Sequence, residues 1–129
     1  MICPLMDARR GQVYTALFEC AGENGEVILK RITEDAPMDI TELIERINQT
    51  GRSVIFLGDG VPVHEERIRE LIRVGYSFAP AHVNRQSASS LGILAFEYAK
   101  KGMTIDSDMH RPEYLRLSQA ERERMERNG

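Results

Sequence analysis

The chain has 129 residues, 42% of them hydrophobic and 29% charged, with a formal net charge of −3. That length supports one folded domain with a core of its own, and the excess of acid gives the chain alone no positive field with which to bind nucleic acid. No apolar run approaches the ~20 residues of a membrane-spanning helix, and the start, Met1-Ile2-Cys3-Pro4, lacks the basic and apolar regions of a signal peptide, so no membrane association and a cytoplasmic location are expected.

Ile2 to Met6 is apolar and predicts a strand. Gln12 to Glu19, rich in Val13, Tyr14, Thr15, Leu17 and Phe18, predicts a second. The short link Asp7-Ala8-Arg9-Arg10-Gly11 makes the pair a β-hairpin whose tip carries one acid and two arginines. Ala21-Gly22-Glu23-Asn24-Gly25 reads as a turn, and Glu26 to Thr33 as a third strand, completing an antiparallel meander. The period then changes. Asp39 stands as a helix cap with Glu42 three residues on, and Ile40, Leu43, Ile44 and Ile47 form one apolar face. Gly51 ends this helix. Ser53 to Leu57 is a continuous apolar run, which predicts a strand covered on both faces. Gly58-Asp59-Gly60 follows, then a helix with Pro62 in its first turn that runs to about Val74, with Ile68, Leu71 and Ile72 inward and Arg67, Arg69 and Arg73 outward. Tyr76 to Ala79 suits a short edge strand. Ser87 caps a third helix in which Leu91, Leu94, Ala95 and Tyr98 are predicted to face inward, and Gly102 closes it. The tail from Ser118 alternates acids and arginines, with Glu123 and Arg127 as an i,i+4 pair, and reads as a solvated helix or a disordered end.

Few residues are placed for chemistry. His64, His82 and His110 pair with no histidine or cysteine at metal-ligand spacing, and His64, in a first helical turn, suits a solvated or capping role. Cys3 and Cys20 flank the hairpin. A disulfide between them is conceivable in geometry, a reducing cytosol opposes it, and both read as small apolar residues. Ser87, Ser89 and Ser90 are helix-start residues outside any nucleophile elbow. Gly58-Asp59-Gly60 is the most phosphate-like feature: a tight turn at the carboxyl end of a strand, opening a helix N-terminus. It lacks the spacing of a dinucleotide site and the lysine of a phosphate loop. It reads either as a structural turn or as a ligand-facing one. Arg9 and Arg10 could grip an anion bidentately, pair with Asp7, or meet a partner protein.

Three stretches together, in this order, resemble one family. Met6-Asp7-Ala8-Arg9-Arg10-Gly11-Gln12-Val13-Tyr14 is similar to the DARRGEVY segment that opens the second half of TsaB (YeaZ) proteins. Gly58-Asp59-Gly60 after an apolar strand and Pro112-Glu113-Tyr114-Leu115-Arg116 match later stretches of that half. The family belongs to the actin-like ATPase superfamily, beside its paralogue TsaD, and has two halves of related ribonuclease-H-like fold. Its first half should begin with a strand and an Asp-Thr-Ser-Thr type loop, which has no counterpart here. The resemblance therefore implies a carboxyl-terminal lobe only, excised or truncated from a longer protein. The expected fold class is α/β, a ribonuclease-H-like lobe with a mixed sheet in the order β-β-β-α-β-α-(β)-α, spanning 1–117 with a charged tail over 118–129.

The resemblance further implies a non-catalytic activator in the synthesis of threonylcarbamoyladenosine at position 37 of tRNAs that read codons starting with adenine. TsaD would carry the transfer chemistry and TsaE the ATPase step, with tRNA met only indirectly through the full-length protein. It implies no catalytic residue, cofactor or metal in this chain, because the histidine pair behind the older glycoprotease label belongs to the other lobe of TsaD. In active superfamily members the hairpin turn is small and glycine-rich, so that backbone amides reach phosphate. Here Asp7-Ala8-Arg9-Arg10 fills it, and Gly58-Asp59-Gly60 matches the adenosine-side turn. Asp7, Arg9, Arg10, Gly58, Asp59 and Gly60 are thus expected to form a residual nucleotide or lobe-interface site. The alternatives are a nucleotide-binding enzyme of the actin or sugar-kinase type and a glycoprotease-like domain. Without the first lobe an exposed apolar inter-lobe face would favour self-association.

Overall fold

The apolar run before the glycine turn becomes a central strand, and the chain's first strand lies beside it. In the computed structural model, which describes residues 1–22, 28–112, 114, 115, 121, 124, 125 and 127, the elements are β1 (Ile2–Pro4), β2 (Met6–Asp7), β3 (Gln12–Thr15), β4 (Phe18–Ala21), β5 (Ile28–Arg31), β6 (Ala36–Asp39), α1 (Ile40–Thr50), β7 (Val54–Leu57), α2 (Val61–Leu71), β8 (Tyr76–Phe78) and α3 (Ala88–Lys100). They fall into two compact units, 1–91 and 92–129.

The first unit holds two sheets. One has the order β5-β4-β1-β7-β8 and the other β2-β3-β6. β7 pairs in parallel with both β1 and β8, whereas β4 is antiparallel to β1 and β5. This is the expected α/β lobe with a mixed sheet. Each of the first two predicted strands is divided, because the hairpin leaves one sheet and enters the other. The break in the first falls at Leu5, whose N–H donates to Leu57 O at 2.8 Å and whose carbonyl accepts from Gly60 N–H at 2.9 Å. Its backbone thus serves β7 and the turn after it. On the return, Leu17 N–H donates to Thr33 Oγ1 at 2.8 Å and Leu17 O accepts from Ile32 N–H at 2.7 Å. The far half of the hairpin pairs with β6, a strand the sequence reading left out. Pro37 within it lacks an N–H and argues against a strand. It is tolerated because β6 is an edge, paired only through Gln12↔Asp39 to Thr15↔Ala36 with β3.

The helices follow their apolar stripes. Asp39 caps α1, with Oδ1 accepting from Thr41 N–H at 2.8 Å, and Gly51 closes it in the left-handed region at φ 66°. Glu42 pairs with Arg46. Ile40, Leu43, Ile44 and Ile47 are all buried, and they share one core with Cys3, Leu5, Val13, Val54, Phe56, Val61 and Ile68. α2 ends at Leu71, with Ile72 already extended at ψ 134°. It is shorter than its apolar spacing predicts, because Asn48 of α1 takes the next backbone groups: its amide donates to Leu71 O at 2.9 Å and its Oδ1 accepts from Arg73 N–H at 2.8 Å.

Two burial expectations are corrected. Val54 and Phe56 are buried, but Ile55 between them is 44% exposed. β7 therefore has one covered face and one open face, since successive side chains on a strand point to opposite sides. In α3, Leu91, Leu94 and Tyr98 are exposed. Their helical spacing fixes which side they share, not whether anything covers it.

In the second unit Gly102, at φ 68°, closes α3 with Met103 N–H donating to Tyr98 O at 2.9 Å, a capping of the kind glycine favours. Of the expected Pro112–Arg116 stretch, Glu113 and Arg116 lie outside the described residues, as do much of the tail, the predicted Glu123 partner of Arg127, and residues 23–27. The described tail residues Glu121, Arg124, Met125 and Arg127 are helical and exposed.

The cysteines separate. Cys3 is fully buried, and burial pushes its thiol up to about 12 despite the contact with Thr15. Cys20 is exposed beside Arg52 and Tyr76, in an open groove of about 440 Å³ at the end of β7 away from the glycine turn. Both are free. A thiolate-selective alkylating reagent at about pH 8 should therefore label the folded chain once, at Cys20, and a second time only after denaturant is added. Intact-protein mass spectrometry reads the count, and two labels under native conditions would contradict the burial of Cys3.

Candidate functional site

The hairpin tip and the glycine turn meet. Asp7 N–H donates to Asp59 Oδ1 at 3.2 Å, a contact across 52 residues of sequence. At the tip the chain passes through three successive left-handed residues, Arg9 at φ 63°, Arg10 at 57° and Gly11 at 75°. Gln12 N–H closes the turn on Arg9 O at 3.1 Å, and Ala8 N–H donates to Gln12 O at 3.0 Å. This is the hairpin geometry with positive φ at both central positions, which matches the twist of the flanking strands. Glycine suits such a position; arginine does not, at about 1–2 kcal/mol for each left-handed residue. Asp7 repays part of this: its Oδ1 accepts from Arg9 N–H at 2.9 Å, and its Oδ2 lies 3.3 Å from the Arg9 guanidinium.

The glycines of Gly58-Asp59-Gly60 are needed for close approach to Leu5. A Cβ at Gly58, where φ is 106°, would lie 2.2 Å from the Leu5 carbonyl oxygen, and one at Gly60 would lie 3.0 Å from the Leu5 Cβ. The first distance is well inside van der Waals contact. Asn84, after the short 3₁₀ turn Ala81–Val83, closes the other side, its Oδ1 accepting from Gly58 N–H at 3.1 Å. The turn opens α2, where His64 sits in the first helical turns.

His64 is not solvated. It is 7% exposed, and its Nε2 lies 3.9 Å from Asp7 Oδ1. Of the six residues the sequence singles out, Asp7, Arg9, Gly58, Asp59 and Gly60 form one connected cluster, and Arg10 belongs to the same tip, with its side chain at the surface. Sequence reasoning missed three participants. Leu5 looked like an ordinary strand residue, Asn84 like a loop residue, and His64 like a helix-surface one. Only the turn-favouring character of Asn84 was visible locally; the other two have no local signal, because their partners are distant in sequence.

Chemically, the cluster presents two carboxylates, one paired guanidinium and a buried imidazole. Among the described residues no group of three or more His, Cys, Asp or Glu side chains is arranged to hold a metal ion. None of the helices is long and apolar enough to cross a membrane, again among the described residues.

No family model matches the chain. It is 31% identical over 123 residues to the tRNA threonylcarbamoyladenosine biosynthesis protein TsaB of Bacillus subtilis (strain 168), across 94% of this chain and 49% of that protein. Its fold is similar, with a TM-score of 0.63 at 19% identity, to the crystal structure of an uncharacterized protein with similarity to peptidase YEAZ from Pseudomonas aeruginosa, over 89% of this chain and 49% of that one. The chain thus spans about half the length of the relatives it matches. Over that half, with the expected α/β lobe in place, the chain is similar in sequence to a TsaB protein and in fold to a YeaZ-like one.

Proposed function

We propose that this chain is a non-catalytic lobe of a TsaB-type protein, acting in threonylcarbamoyladenosine synthesis as the carboxyl-terminal half of an activating subunit. The observation that carries the reading is the filled hairpin tip. Where a phosphate-binding turn needs small residues and free amides, this tip holds side chains at left-handed φ, the Asp7 carboxylate folds onto Arg9 within it, and the Asp59 carboxylate of the glycine turn accepts from the Asp7 amide. A carboxylate in that place repels phosphate. The glycines of Gly58-Asp59-Gly60 are explained by Leu5, so they need no nucleotide to account for them. Partners in this reading are a TsaD-like paralogue that performs the transfer and a TsaE-like ATPase, both met through the full-length protein in the cytoplasm, with tRNA reached indirectly.

Reconstitution of the tRNA modification from TsaD, TsaE and the full-length protein tests this. Omitting the full-length protein should abolish modification. Arg9→Ala, which removes a largely exposed guanidinium, should leave the melting temperature unlowered yet slow modification about tenfold, the scale of one interface anchor. Modification that proceeds unchanged without the protein would overturn the reading. Calorimetric titration of ATP into the purified chain distinguishes the nucleotide-binding enzyme, for which tight magnesium-dependent binding is the signature.

A further inference from the structure

We propose that His64 is a proton-operated clamp on the hairpin tip: protonated, the imidazole of α2 grips the Asp7 carboxylate of β2, and neutral, it releases it. Among the described residues, His64 Nε2 is a buried side-chain nitrogen with no hydrogen-bond partner. It stops 3.9 Å from Asp7 Oδ1, about 1 Å beyond hydrogen-bond reach. A buried polar atom left unpaired is unfavourable, and the nearest means of satisfying it is this carboxylate. In the neutral tautomer with the proton on Nδ1, two lone pairs face each other. Protonation puts an N–H opposite a carboxylate in a poorly solvated site, where a charge-assisted bond is strongest.

Asp7 faces Nε2 from β2, and Arg9 at the tip offsets the other Asp7 oxygen. Asp59 of the glycine turn is engaged by the Asp7 amide. On α2 itself Glu65 pairs with Arg69 and Arg67 with Glu70, while α1, packed against α2, pairs Arg46 with Glu42. What the clamp holds is the tip, which carries the left-handed Arg9 and Arg10 and ends in exposed residues. Protonation of the imidazole therefore tightens the tip, and deprotonation loosens it. The inference does not depend on what the lobe assembles with.

Amide hydrogen exchange followed by NMR, corrected for the intrinsic pH dependence of exchange, tests it on the chain as it stands. In the wild type, protection at the Asp7, Ala8 and Gln12 amides should rise about tenfold between about pH 8 and about pH 6, while the Leu5 and Val54 amides should not follow. In His64→Gln the pH dependence at the tip should disappear. Asp7→Asn carries the same prediction without disturbing the core. Tip protection that is independent of pH in the wild type, or a pH response that persists in both variants, overturns the clamp.

Discussion

Gly58→Ala is expected to destabilise the fold by more than about 4 kcal/mol, enough to unfold a marginally stable domain. Two costs add. The backbone at φ 106° is outside the range that residues with a Cβ adopt readily, and the new methyl would stand 2.2 Å from a carbonyl oxygen. Leu5 cannot step aside cheaply, because its N–H is bound to Leu57 and its carbonyl to Gly60, so any shift breaks the join between β1 and the turn. Gly51→Ala is the control: φ is 66° and no atom lies within 4 Å of the added Cβ, so only the left-handed penalty of about 1 kcal/mol is expected. Urea denaturation monitored by circular dichroism measures both. If the two variants lose similar stability, the close approach of Leu5 is not what the glycine is for.

Phe56→Ala should cost about 3–5 kcal/mol, the range for removing a large buried aromatic and leaving a cavity. Phe56 is fully buried on β7, flanked by Cys3 on β1 and Phe78 on β8 in the strand register, with its ring centroid 6.0 Å from that of Phe78. It is the largest fully buried side chain of the core, and a close-packed interior relaxes only partly around such a cavity. Ile55→Ala, one residue away on the open face, should cost less than about 1 kcal/mol. The contrast isolates face from strand, since both residues share the same ladder. Equal losses in chemical denaturation would mean that the open face of β7 is covered in solution.

Both effects bear on how the site is held. Phe56 fixes the central strand, Gly58 lets Leu5 rest against its end, and Leu5 in turn starts the tip that carries Asp7. The site is therefore an outgrowth of the core, with no loop of independent conformation between them. This is why the tip can sustain left-handed arginines: strain persists where the surrounding structure over-determines it.

The elements of shortest range were legible in the sequence. The stripe Ile40, Leu43, Ile44 and Ile47, the Asp39 cap and the Gly51 stop depend on residues within one or two turns of each other, so the local pattern determines them. The hairpin with its acid and two arginines, the edge strand at Tyr76, and the alternation of strand and helix after residue 39 were legible for the same reason. The resemblance carried by Met6 to Tyr14 led to the family and the α/β lobe.

What only the tertiary structure decided involves partners far apart along the chain. The division of both hairpin strands at Leu5 and Leu17 depends on Leu57, Gly60 and Thr33, which no local pattern links. β6 exists because β3 offers an edge where Pro37 loses nothing by lacking an N–H. The open face at Ile55 and the exposed Leu91, Leu94 and Tyr98 show that periodicity identifies a face and leaves its cover undetermined. His64 is buried and faces Asp7 because the first turns of α2 lie beside the hairpin's acid, 57 residues earlier in sequence. The sequence by itself determined which residues cap, turn and alternate; packing decided which of them meet, because burial and close approach are properties of the assembled layers.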